Sequence, residues 1–170
     1  MLDNYVQLTE QQRRELLPAQ PNIWHFYEKL SRRLIMWNVI NFGTGVILQL
    51  FTSFWRGVGA QAVGWSAVNL AIGFLGQKGN ERRAAEPNAQ LPERMAREAR
   101  NIRAILWLNA GLDILYMLGG LSWARRAAQK GGANAEFQRG MGIGVVIQGG
   151  LLFVWDVINA LIVPRYEKKD

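Results

Sequence analysis

Four long stretches of the chain carry almost no charge. None occurs from Leu34 to Trp55, between Arg33 and Arg56, and none from Gly57 to Gln77. Ala104 to Ala124 holds the single charge Asp113, and Gly140 to Pro164 holds only Asp156. An amphipathic helix of a water-soluble protein places polar residues on its wet face every turn or so, and these runs do not. Each has the roughly 20 residues a helix needs to cross about 30 Å of hydrocarbon. Backbone groups in lipid must be satisfied within their own segment, so the runs are expected to be helical, and an open sheet would leave bare edges there. The pattern predicts an all-α, integral membrane four-helix bundle of two antiparallel hairpins, with spans at about 34–54, 58–77, 103–123 and 140–163.

The segments between the runs set the organisation. Residues 1–33 read as a cytoplasmic or interfacial N-terminal helical segment, 34–164 as the bundle and 165–170 as a cytoplasmic tail. Thr9-Glu10-Gln11-Gln12 fits a capping box, Pro18 and Pro21 interrupt, and Asn22 is placed to cap a helix running into the first span. Thr52 to Gly57 leaves room only for a tight turn. The stretch Lys78–Arg103 begins loop-like, with Gly79-Asn80 and Pro87-Asn88, and from Pro92 onward reads as helix with Pro in its first turn, continuing into the third span. Gly131-Gly132 breaks the chain before the fourth, and Asn134 is a candidate N-cap.

Charge orients this arrangement. The N-terminal segment, the 78–103 connection and the tail hold fifteen Lys and Arg, against five (Arg56, Arg125, Arg126, Lys130, Arg139) on the other side. Basic residues gather in cytoplasmic segments, so both termini are expected in the cytoplasm and the chain in the cell (inner) membrane. The sequence pI of about 10.2 would suggest nucleic acid for a soluble protein; basic residues flanking apolar spans account for it, and no nucleic-acid partner is expected. The start, Met1-Leu2-Asp3-Asn4, lacks a basic region followed by an apolar one, so no cleavable signal is expected. The 18 Gly and 7 Trp suit close helix approach and membrane interfaces. With no Cys, disulfides, thiolate metal sites and Cys nucleophiles are excluded.

Polar residues inside apolar spans are the candidates for chemistry. Asn41, Asn69, Asn109, Asp113, Gln148, Asp156 and Asn159 are expected to gather in an intramembrane layer towards the cytoplasmic side. That layer has two readings: interhelical hydrogen bonding that fixes register, or a pocket or half-channel in which Asp113 and Asp156 exchange protons or hold a cation. Residues recur every four positions along the first helix (Trp37, Asn41, Gly45, Gln49) and the second (Gln61, Trp65, Asn69, Gly73). These stripes read as packing, with Trp37, Trp65, Trp107 and Trp155 as packing or interface aromatics. Asn-x-Gly in the first and third spans and Trp-x-x-x-Asn in the second and fourth hint at an internal duplication. Gly140-Met141-Gly142-Ile143-Gly144 lacks the Lys-Ser/Thr of a phosphate loop and reads as close packing.

Arg94, Arg97, Arg100 and Arg103 are expected on one helix face, against anionic headgroups or an acidic partner. His25, the only histidine, is expected in an interfacial aromatic belt with Trp24, Phe26 and Tyr27. One His builds no multi-His metal or haem site, so no metal and no cofactor are expected.

The segment Gly144 to Asp156, with Asn109-x-Gly111-x-Asp113, resembles small bacterial four-helix membrane proteins known only as domains of unknown function, over the second half of the chain. That resemblance implies the topology and no activity. The sequence reading is therefore a non-enzymatic polytopic protein, an accessory, assembly or structural subunit whose partners are lipids and other membrane subunits or further copies of itself. The alternative is a small oligomeric transporter or proton conductor using the two aspartates.

Overall fold

The computed structural model describes residues 22–166. The Thr9–Gln12 capping box, Pro18 and Pro21 lie outside the described residues, as does the tail beyond Tyr166. Four helices make up the fold: α1 Ile23–Ile47, α2 Ser53–Ala84, α3 Pro92–Lys130 and α4 Ala135–Ile162, with a short 3-10 turn, Leu48–Leu50, after α1. No strand occurs among the described residues.

Local chemistry sets the helix boundaries. The Asn22 side chain accepts a hydrogen bond from the Trp24 N–H at 2.9 Å and so caps α1. Pro92 occupies the first turn of α3, where its missing N–H costs nothing. Gly131 and Gly132 take φ of 63° and 93°, a backbone region that favours glycine, and end α3. Asn134 precedes α4, but its side chain makes no capping bond.

Two expected boundaries are corrected. The second helix does not stop at 77: α2 runs on to Ala84. Gly79-Asn80 is helical because Asn80 is buried and its amide donates to the Trp24 carbonyl at 3.3 Å. The first helix stops early. Within the expected span the helix breaks at Phe51 and Thr52, while Ser53 and Phe54 already belong to α2, and the Gln49 amide donates to the Gly45 and Arg56 carbonyls, tying the turn. Three helices, α2, α3 and α4, are long and apolar enough to cross a membrane, and α1 is not among them.

Successive helices pack with residue numbers running in opposite directions. Along α1 and α2, Gly45 meets Gly59, Asn41 meets Ser66 and Asn38 meets Asn69. Along α3 and α4, Gly120 meets Gly142, Met117 meets Gly149 and Arg103 meets Val163. Contacts of Phe54 with Gly140 and of Gln61 with Gly144 join α2 to α4.

At one end the start of α1, the 85–91 connection, the start of α3 and the exit from α4 share an apolar core of Ile23, Trp24, Tyr27, Ala89, Met95, Ala99, Ile102, Leu106, Ala160 and Val163. The helices beyond it are built the other way round. Their buried positions are mostly Gly, Ala, Ser, Asn, Gln and Asp. The exposed large apolar side chains all lie at 36–55, 68–75, 105–123 and 147–162, and none at 76–104 or 124–146. A belt of exposed Leu, Ile, Val, Phe and Trp thus surrounds a small and polar interior.

Candidate functional site

The polar layer is built at the crossing of α1, α2 and α4. Asn41 and Gln148 exchange both carboxamide bonds: the Asn41 amide donates to Gln148 Oε1 at 2.9 Å and the Gln148 amide donates to Asn41 Oδ1 at 3.2 Å. The Asn41 amide also donates to Ser66 Oγ at 2.9 Å. One turn along α1, Asn38 is fully buried, donates to the Leu34 carbonyl at 2.8 Å and accepts from the Asn69 amide at 3.3 Å. Asn159 is buried and donates back to the Trp155 carbonyl at 2.7 Å. An unpaired amide would be costly away from water; these have partners inside the chain.

The aspartates are arranged differently. Asp113 on α3 is only 4% exposed and its Oδ2 has no hydrogen-bond partner among the described residues. Asp156 on α4 is also buried and lies within electrostatic reach of Asp113. Neither makes an ion pair among the described residues.

Asn109 is not part of this layer. It is exposed on α3 and makes no hydrogen bond among the described residues. Three residues on the helix fall about 60° short of a full turn, so Asn109 lies at the margin of the face that buries Leu106, Ala110 and Asp113, on its exposed side. Helical drift also undoes the stripes. The buried sets alternate three and four residues, Asn38, Asn41, Gly45 on α1 and Gly59, Ala62, Ser66, Asn69, Gly73 on α2. Strict four-residue stripes rotate off the contact: Trp37 is exposed, and Gln61 and Trp65 are half-buried. Spacing of three and four, rather than four alone, would have found Asn38 and Ser66.

The aromatics fall into separate places. Trp65 packs edge-on against Tyr116, with ring centroids 5.2 Å apart. Trp37 and Trp155 line a groove of about 170 Å³ between α1 and α4 with Leu34, Leu151 and Ile158. Trp107 is exposed. The aromatic belt expected around His25 is corrected: His25 is exposed and 3.3 Å from Glu28, while Trp24 and Tyr27 are buried in the core.

The four arginines do not share a face, because a spacing of three turns 60° backwards at each step. Arg94 pairs with Glu86 at 3.1 Å and Glu98 at 3.4 Å. Arg103 donates to the Val163 and Pro164 carbonyls at the end of α4. Arg97 and Arg100 are exposed. Arg100 and Arg103 also line a cavity of about 380 Å³ with Arg165 and Tyr166. Buried Glu98 is a further residue the sequence did not single out. It accepts from the Tyr27 hydroxyl at 3.3 Å, and Arg83 lies 3.9 Å away. Burial, with the Glu98 charge beside it, pushes the Tyr27 hydroxyl up to about 12.

Residues 33–157 match a family of unknown function, DUF6992. The chain belongs to that family. The DUF6992 match covers both halves of the chain, more than the second half that carried the resemblance, and takes in Asn41, Asn69, Asp113, Gln148 and Asp156. Trp24, Tyr27 and Asn159 lie outside it. No curated protein and no solved structure matches the chain.

Proposed function

We propose that this DUF6992 member is a non-enzymatic, multi-pass protein of the cell membrane. In this reading it acts by lateral association, as an accessory, assembly or structural subunit of a larger membrane complex. All four helices cross the bilayer as two antiparallel hairpins, and α1, with its shorter apolar stretch, is the most shallowly seated. The exposed apolar belt supports this placement, since large exposed apolar patches mark membrane or protein contacts. The fifteen-to-five distribution of Lys and Arg supports cytoplasmic termini. The end that gathers Ile23, Ala89 and Val163 is then the cytoplasmic one.

One observation carries the association reading: the interior is closed. Its amides are bonded to one another, and away from the cytoplasmic end the helices meet backbone to backbone. A Cβ on Gly45 would come within 2.8 Å of the Gly59 carbonyl oxygen, and one on Gly142 within 2.6 Å of the Gly120 oxygen. Gly57 and Gly140 are seated against the Phe137 and Phe54 carbonyls in the same way. Such a bundle offers partners its surfaces, lipid-facing on the sides and basic at the cytoplasmic rim, where Arg97 and Arg100 are exposed. Extraction from native membranes in mild detergent, followed by native mass spectrometry, tests this. A stoichiometric complex with other subunits is expected. A chain recovered free of any other subunit contradicts the accessory role.

A second reading rests on Asp113, whose Oδ2 is buried without a partner, and on Asp156 beside it. An intramembrane carboxyl pair of this kind suits proton or cation handling. Unchanged flux in proteoliposomes carrying Asp113→Asn with Asp156→Asn would end that reading.

A further inference from the structure

Asn109 is the carboxamide the fold leaves over. Asn38, Asn41, Asn69, Gln148 and Asn159 each find a hydrogen-bond partner inside the chain. Asn109 finds none among the described residues and faces outward beside Ile105 and Leu112, both exposed. With α3 entering the bilayer near Arg103, Asn109 sits roughly 9 Å along the helix from that border. Its side chain is too short to reach back to water.

The neighbours of Asn109 form a seam. Ile105, Asn109, Leu112, Tyr116, Gly119 and Trp123 are all exposed and are spaced four, three, four, three and four residues apart. That is the 3.5-residue repeat of helices that pack along their length, the alternation that also sets the buried contacts of α1 and α2. Trp65 rests against Tyr116 on one edge. A Cβ at Gly119 would meet nothing within 4 Å, so a second backbone has room to approach there.

From this arrangement we infer that α3 docks on α3 of a second copy of the same chain, with Asn109 facing Asn109 across a twofold axis. The inference rests on the membrane placement proposed above and is independent of which other subunits join the complex. A twofold contact brings a residue near the axis opposite itself. A carboxamide suits that position because it donates and accepts, so it satisfies its own copy, whereas a carboxylate or an ammonium would repel it. The chain already pairs carboxamides at its internal helix contacts, Asn41 with Gln148 and Asn69 with Asn38. A single Asn in such a seam fixes register and partner number.

The absence of Cys from the chain makes the test clean. Leu112→Cys keeps Asn109 in place, and a disulfide requires close, well-directed Cβ atoms. Oxidation in native membranes is expected to give a covalent dimer of twice the 19.2 kDa chain. Ile114→Cys and Leu118→Cys, exposed on the far side of the same helix, are expected to give at least tenfold less. Adding Asn109→Leu to Leu112→Cys should lower the yield about tenfold, and Asn109→Gln should restore most of it. Equal cross-linking at Ile114, indifference to Asn109→Leu, or a product with a chain of another mass would overturn the inference. A chain washed from membranes by alkaline carbonate would overturn the membrane placement itself, whereas a chain that stays embedded with no Leu112 cross-link overturns only the dimer.

Discussion

The end that gathers Ile23, Ala89 and Val163 and the apolar-belted region beyond it are packed by opposite rules. At that end Trp24, Tyr27, Met95 and Ile102 are buried, and Arg97, Arg100 and the 85–88 connection are exposed. Roughly 27 Å further along the same helices, Gly120, Gly142 and Gly144 are buried, and near them Leu115, Leu118 and Ile147 are exposed. Water accounts for the first arrangement, since removing apolar surface from it is the main favourable term there. On the proposed membrane placement lipid removes that term for the second: tails are as apolar as Leu, and helices associate through close backbone approach and hydrogen bonds. On that placement the chain records two solvents in what it buries.

Substitutions in the two regions should therefore fail by different amounts and for different reasons. The largest effect is expected at the aqueous end. Trp24→Ala removes a buried aromatic and its hydrogen bond to the Ala89 carbonyl, and should cost about 3–5 kcal/mol in thermal unfolding in detergent. A loss under about 1 kcal/mol would mean that this end is not an apolar core in the sense used for aqueous proteins. Next comes Gly140→Val, whose added Cβ would run into the Phe54 backbone. It should lose about 3 kcal/mol, while Gly64→Ala, facing open space, should be close to neutral. If both glycines tolerate the larger side chain equally, backbone contact does not hold the spans together.

A smaller effect is expected within the polar layer. Asn41→Leu breaks bonds to Gln148 and Ser66, and interhelical bonds of this kind contribute about 0.6 kcal/mol on average and at most about 1.7 kcal/mol. Circular dichroism melts in detergent should register a loss in that range, and one several times larger would mark the layer as the main determinant of the fold. The last effect is a pH dependence. The folded state raises the Tyr27 hydroxyl from 10.0 to about 12, so between those values the folded chain holds a proton that the unfolded chain has released. Stability should therefore fall as pH rises from about 10 to about 12. Tyr27→Phe should flatten that part of the profile, and an unchanged slope would place Tyr27 in water.

The helices were legible in the sequence because runs of more than twenty residues with at most one charge have few other uses, and Asn22, Pro92 and Gly131-Gly132 mark ends by local chemistry. The end of α1 was not, since Leu48–Phe51 are as apolar as what precedes them, and it is Gln49, bonding across the turn to Arg56, that ends the helix. Gly79-Asn80 looks like a loop until Trp24, far away in sequence, supplies the partner of Asn80. The polar layer was visible as residue types, and Asn41, Asn69, Asp113, Gln148, Asp156 and Asn159 are all buried. Their pairings were not visible, because Asn41 meets Gln148 across more than a hundred residues and Asn38 was hidden behind a four-residue stripe. Asn109 carries the same side chain as Asn41 and faces the other way; helix rotation decides this, and an Asn-x-Gly motif does not encode it.

Single-cysteine labelling in sealed, right-side-out membrane vesicles tests the two-solvent account most directly. A water-soluble, membrane-impermeant maleimide should leave Leu115→Cys unlabelled until detergent and denaturant are added. It should reach Arg97→Cys only after the vesicles are opened, and should label Lys130→Cys in intact ones. Labelling of Leu115→Cys at the rate of Lys130→Cys in intact vesicles would mean that the apolar belt faces water, and the account would be wrong at its centre.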